Sequence, residues 1–317
     1  MKKKYKKIIN IFVLFLLVAI TASCNRIPTP NPVETAPTPS PVKTTPTASP
    51  VKTVPTPTSS SNFVENLLAG MTIEEKVGQI FIMSFRSLYN DDNPPDLFTK
   101  KDMNMIQNLH LGGIILFTEN LKNIDQTSSM IQGANTTSKI PLFMGIDEEG
   151  GSISRLNGVP AFHSTVLPTK KEVGSTNTPL LAEKEGKLIG EEISSLGFNI
   201  DFAPVADVNT NPNNPVIGDR SFGSDPGLVA RMLAAEVKGM HEANVITVAK
   251  HFPGHGDTSQ DTHTGAVTLE HDINRLRKVE FVPFIKSIEA GTDCIMVAHI
   301  KVPKVTGNDI PASLSKK

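Results

Sequence analysis

The chain has 317 residues, of which 38% are hydrophobic and 20% are charged, and its formal net charge is −1. Residues 1–23 contain five lysines and no acidic residue, so removing them changes the net charge from −1 to −6. An acidic chain of this kind is a poor candidate for nucleic-acid binding, because the phosphate backbone attracts basic surfaces.

The first 23 residues have the pattern of a secretory signal peptide. They read MKKKYKK, then the apolar run IINIFVLFLLVAI, then small residues before Cys24. The apolar run is short for a membrane span. The stretch TASC resembles a bacterial lipobox, although Thr21 stands where leucine is usual. Two interpretations follow: an ordinary signal peptide, or one that ends at a lipidated Cys24, which the next segment favours.

Residues 24–61 are rich in Pro, Thr, Ser and Val and include PTPSPVKTTPTASPVKTVPTPTSS. Such a segment has too little apolar surface to offset the entropy of ordering, so it predicts a semi-extended tether. A tether after a lipidated cysteine would hold a folded domain, residues 62–317, away from a membrane. We therefore expect an extracytoplasmic protein that is lipid-anchored to a bacterial cell membrane. Cys294 lies in the apolar run CIMVAHI and is expected to be buried.

The remaining chain alternates between strand-like and helix-like segments. Nearly continuous apolar runs predict buried parallel strands at 77–85, 111–117, 141–146, 198–208, 245–252 and 294–300. Helical periodicity predicts helices at 179–197, 224–244 and 272–291, with Ser224 or Asp225 and Asp272 as N-terminal caps. This alternation predicts an α/β fold with a parallel sheet.

Polar residues follow several of these strands and decide between two α/β architectures. Asp147, Asp207, Lys250 with His251, and His299 each stand at the end of a different apolar run. A (β/α)8 barrel of the TIM type collects its site from many strand ends, whereas an open sheet binds mainly at one switch point. The sequence therefore predicts a TIM-type barrel. The chain ends after about six strands, so a truncated barrel is expected.

The segment KHFPGHGDTSQDTH, residues 250–263, combines titratable side chains with glycines and a proline. A loop-built metal site from His251, His255, Asp257 and His263 is one interpretation, and a polar loop of structural histidines is another. The favoured interpretation is a catalytic loop. Lys250 and His251 would donate to substrate hydroxyls there, and Asp261 would orient His263 for acid–base chemistry. We expect no metal and no cofactor.

This segment resembles the signature of the glycoside hydrolase family 3 enzymes, in their β-N-acetylglucosaminidase branch. The stretches GIDEEGGSISR (145–155), VIGDRSFG (216–223) and IMVAHIKVP (295–303) resemble other motifs of that family in the same order. The likeness extends from about Phe63 to Lys317. One departure is Ser152, which stands where the family commonly has arginine.

The resemblance implies a retaining mechanism and a role for each matching residue. His263 would be the general acid/base with Asp261 as its partner. The terminal sugar would be bound by Asp147, Arg155, Arg220, Lys250 and His251, with His299 as a wall of the site. The family's nucleophilic aspartate follows the segment that PASLS begins and has no counterpart in this chain, so these 317 residues alone are expected to be inactive.

The expected activity is hydrolysis of terminal β-linked N-acetylglucosamine by an exo-acting glycosidase. The expected substrates are peptidoglycan fragments (muropeptides) or chito-oligosaccharides. A β-glucosidase or xylosidase of the same family is a related alternative, which the Asp261–His263 loop disfavours. A non-catalytic, sugar-binding surface lipoprotein and a metal hydrolase are alternatives from other classes.

Overall fold

The computed structural model describes residues 60–85, 98–261, 265 and 267–316, in which short strands alternate with helices. The predicted signal peptide, Cys24 and the predicted tether up to residue 59 lie outside the described residues, and so does His263. Within the described part of the chain, no helix has both the length and the apolar character needed to cross a bilayer.

Six strands form one sheet in their order along the chain, and every neighbouring pair is parallel. They are β1 (Ile82–Ser84), β2 (Gly113–Ile115), β3 (Phe143–Ile146), β4 (Ile200–Asp201), β5 (Ile246–Phe252) and β7 (Cys294–Val297). A barrel keeps its strands in chain order, whereas a doubly wound sheet reverses its order at a switch point. The predicted α/β fold, with six parallel strands in the order of a TIM-type barrel, is confirmed.

Helices connect the strands, and a small second sheet lies beside the main one. The second sheet pairs β6 (Val267–Thr268) with β8 (Ile300–Lys301) in parallel. The α-helices are α1 (Ser60–Gly70), α2 (Ile73–Gln79), α3 (Lys100–Asn108), α4 (Ile124–Thr137), α5 (Lys170–Ser175), α6 (Pro179–Leu196), α7 (Pro226–Glu242), α8 (Ile273–Lys278), α9 (Phe281–Glu289) and α10 (Pro303–Thr306). Short 3₁₀ turns occur at 118–120, 160–162, 218–220 and 312–314.

The ends of α6 and α7 follow the local sequence signals. Asp225 caps α7, since its Oδ1 accepts a hydrogen bond from Leu228 N at 2.6 Å. Pro226 occupies the first turn, where a missing N–H costs nothing. Helix α6 ends at Gly197, whose φ of 103° is left-handed and favours glycine.

Several predicted elements have different boundaries in the structure, as in the predicted strand 198–208, of which only β4 (Ile200–Asp201) forms. Two of the differences have a clear local cause. The predicted helix 272–291 is broken into α8 and α9 at Val279, because Pro283 lacks an N–H for the Val279 carbonyl and its ring would clash with that carbonyl. The predicted strand 77–85 begins too early. Residues 73–79 form α2 instead, since Thr72 and Glu75 form a reciprocal capping box at its start.

The largest hydrophobic cluster of the core includes residues of strands β2 and β3. Its members include Ile114, Met144, Ile146, Ile193 and Phe198, each at most 3% exposed. The edge strands carry exposed apolar side chains, as at Ile82, which is 37% exposed, and Val297, which is 41% exposed. Cys294 is also exposed, which corrects its predicted burial, because it lies on edge strand β7.

Helices α6 and α7 pack closely because glycines face the neighbouring backbone. A Cβ on Gly239 would lie 1.9 Å from the Glu183 carbonyl oxygen, and one on Gly186 would lie 2.4 Å from that of Glu236. Any larger residue would force these helices apart.

Candidate functional site

The carboxyl ends of β3 and β5 bring a carboxylate and an ammonium group together. Asp147 directly follows β3, and Lys250 lies near the end of β5. Lys250 Nζ donates to Asp147 Oδ1 at 2.8 Å and lies 2.6 Å from Glu149 Oε1. Both Lys250 and Glu149 are only 2% exposed. These two residues therefore form the buried floor of the group.

Two arginines complete this charged group. Arg220, in the 218–220 turn, binds Glu149 through two hydrogen bonds, Nε to Oε2 at 2.8 Å and Nη2 to Oε1 at 2.7 Å. Arg155 Nη2 lies 3.5 Å from Asp147 Oδ2, and its guanidinium carbon lies 5.5 Å from the centre of the Phe117 ring. The paired, planar geometry at Glu149 is one that only arginine supplies.

Mutual neutralisation keeps these buried groups charged. Burial alone would raise the pKa of Glu149, but the charges of Lys250 and Arg220 outweigh it and hold that pKa well below its usual range. Burial alone would lower the pKa of Lys250, but the carboxylates of Glu149 and Asp147 outweigh it and raise that pKa. Glu149 and Lys250 therefore both stay charged over the whole neutral range of pH.

Asp207, just beyond β4, holds His251 in place. His251 Nδ1 donates to Asp207 Oδ2 at 2.7 Å, and the backbone N–H groups of His251 and His255 donate to Asp207 Oδ1 at 3.3 Å and 2.6 Å. Asp207 is completely buried, and burial alone would raise the pKa of its carboxyl group. The charge of His251 outweighs this effect and lowers the pKa of Asp207. Since Nδ1 faces a carboxylate, it carries a proton, which leaves Nε2 of His251 for another partner.

Buried carboxyl groups also shape the loop that carries Asp147. Glu148 Oε2 accepts hydrogen bonds from Arg155 N at 2.7 Å and Leu156 N at 3.1 Å, and Glu148 N donates to Asp201 Oδ1 at 2.9 Å. Burial raises the pKa of both carboxyl groups. Ser152 Oγ donates to Asp219 Oδ1 at 2.9 Å, which ties this loop to the turn that carries Arg220. The turn at residues 148–156 is thus fixed from both sides.

Comparison with known proteins identifies the domain. The family described as the glycosyl hydrolase family 3 N-terminal domain matches residues 72–317. The chain belongs to glycosyl hydrolase family 3. The resemblance inferred from the sequence motifs is confirmed.

Relatives of known name support this membership. The chain is 36% identical over 257 residues to beta-hexosaminidase A of Pseudoalteromonas piscicida, covering 76% of this chain and 42% of the relative. It is 37% identical over 214 residues to beta-hexosaminidase LpqI of Mycobacterium tuberculosis, covering 67% of this chain and 53% of the relative. The chain thus spans about half the length of the curated relatives it matches.

A solved structure has the same fold. The family 3 β-N-acetylglucosaminidase from Paenibacillus sp. strain FPU-7 superposes with a TM-score of 0.69 at 37% sequence identity. The match covers 77% of this chain and 45% of that one. The barrel-type sheet described above is therefore that of the family 3 N-terminal domain.

Five of the sequence-predicted binding residues of this family 3 domain lie together. Asp147 pairs with Arg155 and Lys250, Glu149 pairs with Lys250 and Arg220, and His251 adjoins Lys250 on β5. His299 has a different hydrogen-bond partner, since its Nδ1 lies 2.5 Å from Ser313 Oγ. Its role as a wall of the site stays a prediction.

The predicted acid–base pair is only partly within the described residues. Asp261 is half-buried at the end of the 253–261 segment, whereas His263 lies outside the described residues. The contact between Asp261 and His263 and their chemical roles therefore stay predictions.

Two of the residues named for a metal site, His255 and Asp257, have separate hydrogen-bond partners. His255 Nδ1 lies 2.6 Å from Thr258 Oγ1, and Asp257 Oδ2 lies 2.7 Å from His271 Nε2. In the part of the chain that the structure describes, no three or more His, Cys, Asp or Glu side chains are grouped to hold a metal ion. His255 is buried, and burial lowers its pKa.

Sequence reasoning missed two central acids of the site. Glu149 lies in the same stretch as Asp147, GIDEEGGSISR (145–155). It could have been found by electrostatic reasoning, because buried Lys250 and Arg220 require a nearby anion. Asp207 was recognised as a polar strand end but was given no partner. Its signal was the pair of histidines at 251 and 255, which need an acceptor when they are buried.

Proposed function

We propose that the full-length protein is a retaining exo-β-N-acetylglucosaminidase. It would remove terminal β-linked N-acetylglucosamine from peptidoglycan fragments or chito-oligosaccharides. The observation that carries the proposal is the cradle that Asp147, Glu149 and Lys250, from the ends of β3 and β5, form with Arg220 of the 218–220 turn. The names of the family 3 relatives, which are beta-hexosaminidases and a β-N-acetylglucosaminidase, support the same activity.

The charge balance of the cradle suits an uncharged polyol. The cations Arg155, Arg220 and Lys250 face the anions Asp147 and Glu149, with Asp207 and His251 beside them. An anionic ligand would have to compete with these carboxylates for the cations. Sugar hydroxyls, which both donate and accept, can bind to fixed donors and acceptors without displacing an ion pair.

Exposure separates binding residues from supporting residues. The side chains of Asp147, Arg220 and His251 are 16%, 15% and 17% exposed, so they reach the surface of the cradle. The side chains of Lys250 and Glu149 are 3% and 2% exposed and hold the others from below. Because Asp147, Glu149 and Asp207 each engage a basic side chain, we assign them to binding and support rather than to nucleophilic attack.

The proposed chemistry proceeds in two balanced steps. A carboxylate attacks the anomeric carbon while protonated His263, oriented by Asp261, gives its proton to the leaving glycosidic oxygen. His263 then takes a proton from water, and the resulting hydroxide displaces the carboxylate from the anomeric carbon. The configuration at that carbon is retained.

The proposal is tested by measuring turnover of a chromogenic N-acetyl-β-glucosaminide by the full-length protein. The matching β-glucoside and β-xyloside are assayed as comparison substrates. Asp147→Asn should lower kcat/KM by about 10- to 100-fold, since a hydrogen bond to a charged group contributes roughly 1.5–3 kcal/mol. The matched control is Glu289→Gln, on the exposed surface of α9. Its kcat/KM should equal that of the wild type.

Each alternative predicts a different result. Saturable N-acetylglucosamine binding without turnover by the folded full-length protein would establish the sugar-binding lipoprotein instead. Preference for the glucoside or xyloside would move the enzyme to another branch of the family. Loss of activity with a chelator and its recovery with zinc would support the metal hydrolase.

The proposed location is the outer face of a bacterial membrane, anchored through a lipid on Cys24. The signal-like residues 1–23, the TASC stretch and the proline-rich tether support it. Growth with labelled palmitate should mark the wild-type protein and leave Cys24→Ser unmarked. Equal labelling of both proteins would refute the anchor.

A further inference from the structure

An ion-pair network lies at the base of the loop after β5, away from the cradle. In that loop, Asp257 Oδ1 accepts a hydrogen bond from Thr210 Oγ1 at 2.7 Å. Asp257 Oδ2 lies 2.7 Å from His271 Nε2. Arg275, on α8, donates through Nη2 to Thr210 Oγ1 at 3.3 Å and to Glu280 Oε1 at 3.0 Å. Three separate segments of the chain therefore meet at Asp257.

Glu280 closes this network from below. Its side chain is 2% exposed, and Oε1 lies 3.9 Å from His271 Nε2. Gly254 lies directly above it, since a Cβ on Gly254 would be 2.8 Å from Glu280 Cβ. With φ of +125°, Gly254 also has a backbone conformation that favours glycine. The loop can approach Glu280 this closely only because residue 254 has no side chain.

Two carboxylates of the network approach the same atom of His271. Asp257 Oδ2 lies 2.7 Å and Glu280 Oε1 lies 3.9 Å from His271 Nε2, and Arg275 is the cation that also binds Glu280. The side chains of His271 and Asp257 are 19% and 26% exposed, so their attraction is only partly screened by water. The network has no contact with Asp147, Lys250 or Arg220 among the described hydrogen bonds and ion pairs.

The position of this network along the chain suggests what it does. Asp257 lies four residues before Asp261, and His271 follows the segment that contains His263. The Asp257–His271 pair therefore joins the two ends of the segment that carries the proposed acid–base pair. Holding Asp257 and His271 together fixes the described residues on both sides of that segment, and a catalytic group reacts faster when it is held in place.

We infer that Asp257, His271, Arg275 and Glu280 form a positioning clamp for the acid–base loop. The inference rests on the proposed function. The clamp acts through the loop and does not touch the sugar. Its loss should lower kcat while leaving sugar binding unchanged, because the Asp147 cradle is built from other residues.

His271→Ala in the full-length protein is the direct test. We expect kcat to fall by about 100-fold, since a misplacement of about 1 Å can cost that much, with KM within about two-fold of wild type. His271→Gln can place an amide N–H near Asp257 and should recover most of kcat. Asp257→Asn provides a second test if His271→Ala does not fold, because its amide oxygen can still accept from Thr210.

His241→Ala is the matched control. His241 Nε2 forms a similar pair with Asp293 Oδ2 at 2.9 Å, but at the amino-terminal end of β7. It should lower Tm by a comparable amount and leave kcat unchanged. Equal loss of kcat in His241→Ala and His271→Ala would overturn the inference, as would a wild-type kcat in folded His271→Ala.

Amide hydrogen exchange of residues 254–261 tests the clamp independently of activity. Exchange there should be faster in His271→Ala than in the wild type or His241→Ala, and equal rates would overturn the clamp. A wild-type protein without glycosidase activity would refute the proposed function instead. If the wild type is inactive but exchange is still faster in His271→Ala, the clamp holds the loop in place but has no role in glycosidase catalysis.

Discussion

A buried cluster of two carboxylates and one ammonium group should make the stability of this protein depend on pH. Lys170 on α5 lies 2.7 Å from Glu236 Oε1 on α7 and 3.0 Å from Glu185 Oε1 on α6. The three side chains are 2%, 0% and 4% exposed, respectively, so water screens them little. Burial raises the pKa of Glu236 to about 7, against the charge of Lys170, and the like charge of Glu185 adds to the rise.

The magnitude follows from the two pKa values of Glu236. The ordinary value is 4.5 and the folded value is about 7. Below pH 4.5 the carboxyl group is protonated in both states and costs nothing. As the pH rises from 4.5 to about 7, the unfolded chain gives up this proton and the folded protein keeps it, so stability is lost. At about 1.36 kcal/mol per pKa unit, the loss between pH 5 and pH 8 is about 2 to 3 kcal/mol.

Glu236→Gln should remove this pH dependence, because an amide does not ionise and its oxygen can still accept a hydrogen bond from Lys170. Urea unfolding of the wild type and the variant at pH 5 and pH 8 gives the measurement. The difference in free energy of unfolding, variant minus wild type, should be about 2 to 3 kcal/mol larger at pH 8 than at pH 5.

Glu242→Gln is the control for this experiment. Glu242 ends the same helix, but its pair with Lys187 is exposed on both sides. Its effect on the free energy of unfolding should be within about 0.5 kcal/mol at both pH values. A difference between Glu236→Gln and the wild type that is the same at pH 5 and pH 8 would refute the reasoning.

Two further substitutions test the support of the sugar cradle. Glu149→Gln should lower the free energy of unfolding at pH 7 by about 3–5 kcal/mol, since Lys250 and Arg220 would lose a buried counter-ion. In urea unfolding, the difference in free energy between the variant and the wild type should become smaller as the pH falls below 4.5. In that pH range the wild type loses the stabilisation that comes from the lowered pKa of Glu149. Gly174→Ala would place a Cβ 1.8 Å from the Phe222 carbonyl oxygen, so thermal unfolding should report a loss of about 1–3 kcal/mol; an unchanged Tm would refute that contact.

The sequence predicted the order and type of the central elements, and the physical reasons are local. Strands β2, β3 and β5 are apolar runs buried on both faces, and α6 and α7 carry both a helical period and recognisable caps. The errors occurred where two local signals compete. Pro283 interrupts a segment with good helical periodicity, and the helix that the capping box at Thr72 begins extends over the first residues of the predicted strand 77–85.

The candidate site was predictable to the extent that its residues belong to short motifs. Asp147, Lys250, His251 and Arg220 each belong to a motif that can be read within about ten residues of sequence, and the structure brings the ends of β3 and β5 and the 218–220 turn together. The clamp around Asp257 was not predictable in this way. Its partner His271 lies in an ordinary segment, TLEHDIN, that carries no motif of its own.

The acids that were missed show why a motif does not specify a site. Arg220 and Glu149 are 71 residues apart, and Lys250 and Asp147 are 103 residues apart, so their pairing depends on the sheet and not on local spacing. A buried cation nevertheless sets a condition that sequence reasoning can use, because an unpaired charge in the interior costs several kcal/mol. Each basic residue predicted at a strand end therefore calls for an acid at a neighbouring one. That condition points to the acids after β3, which include Asp147 and Glu149, for Lys250 and to Asp207 for His251.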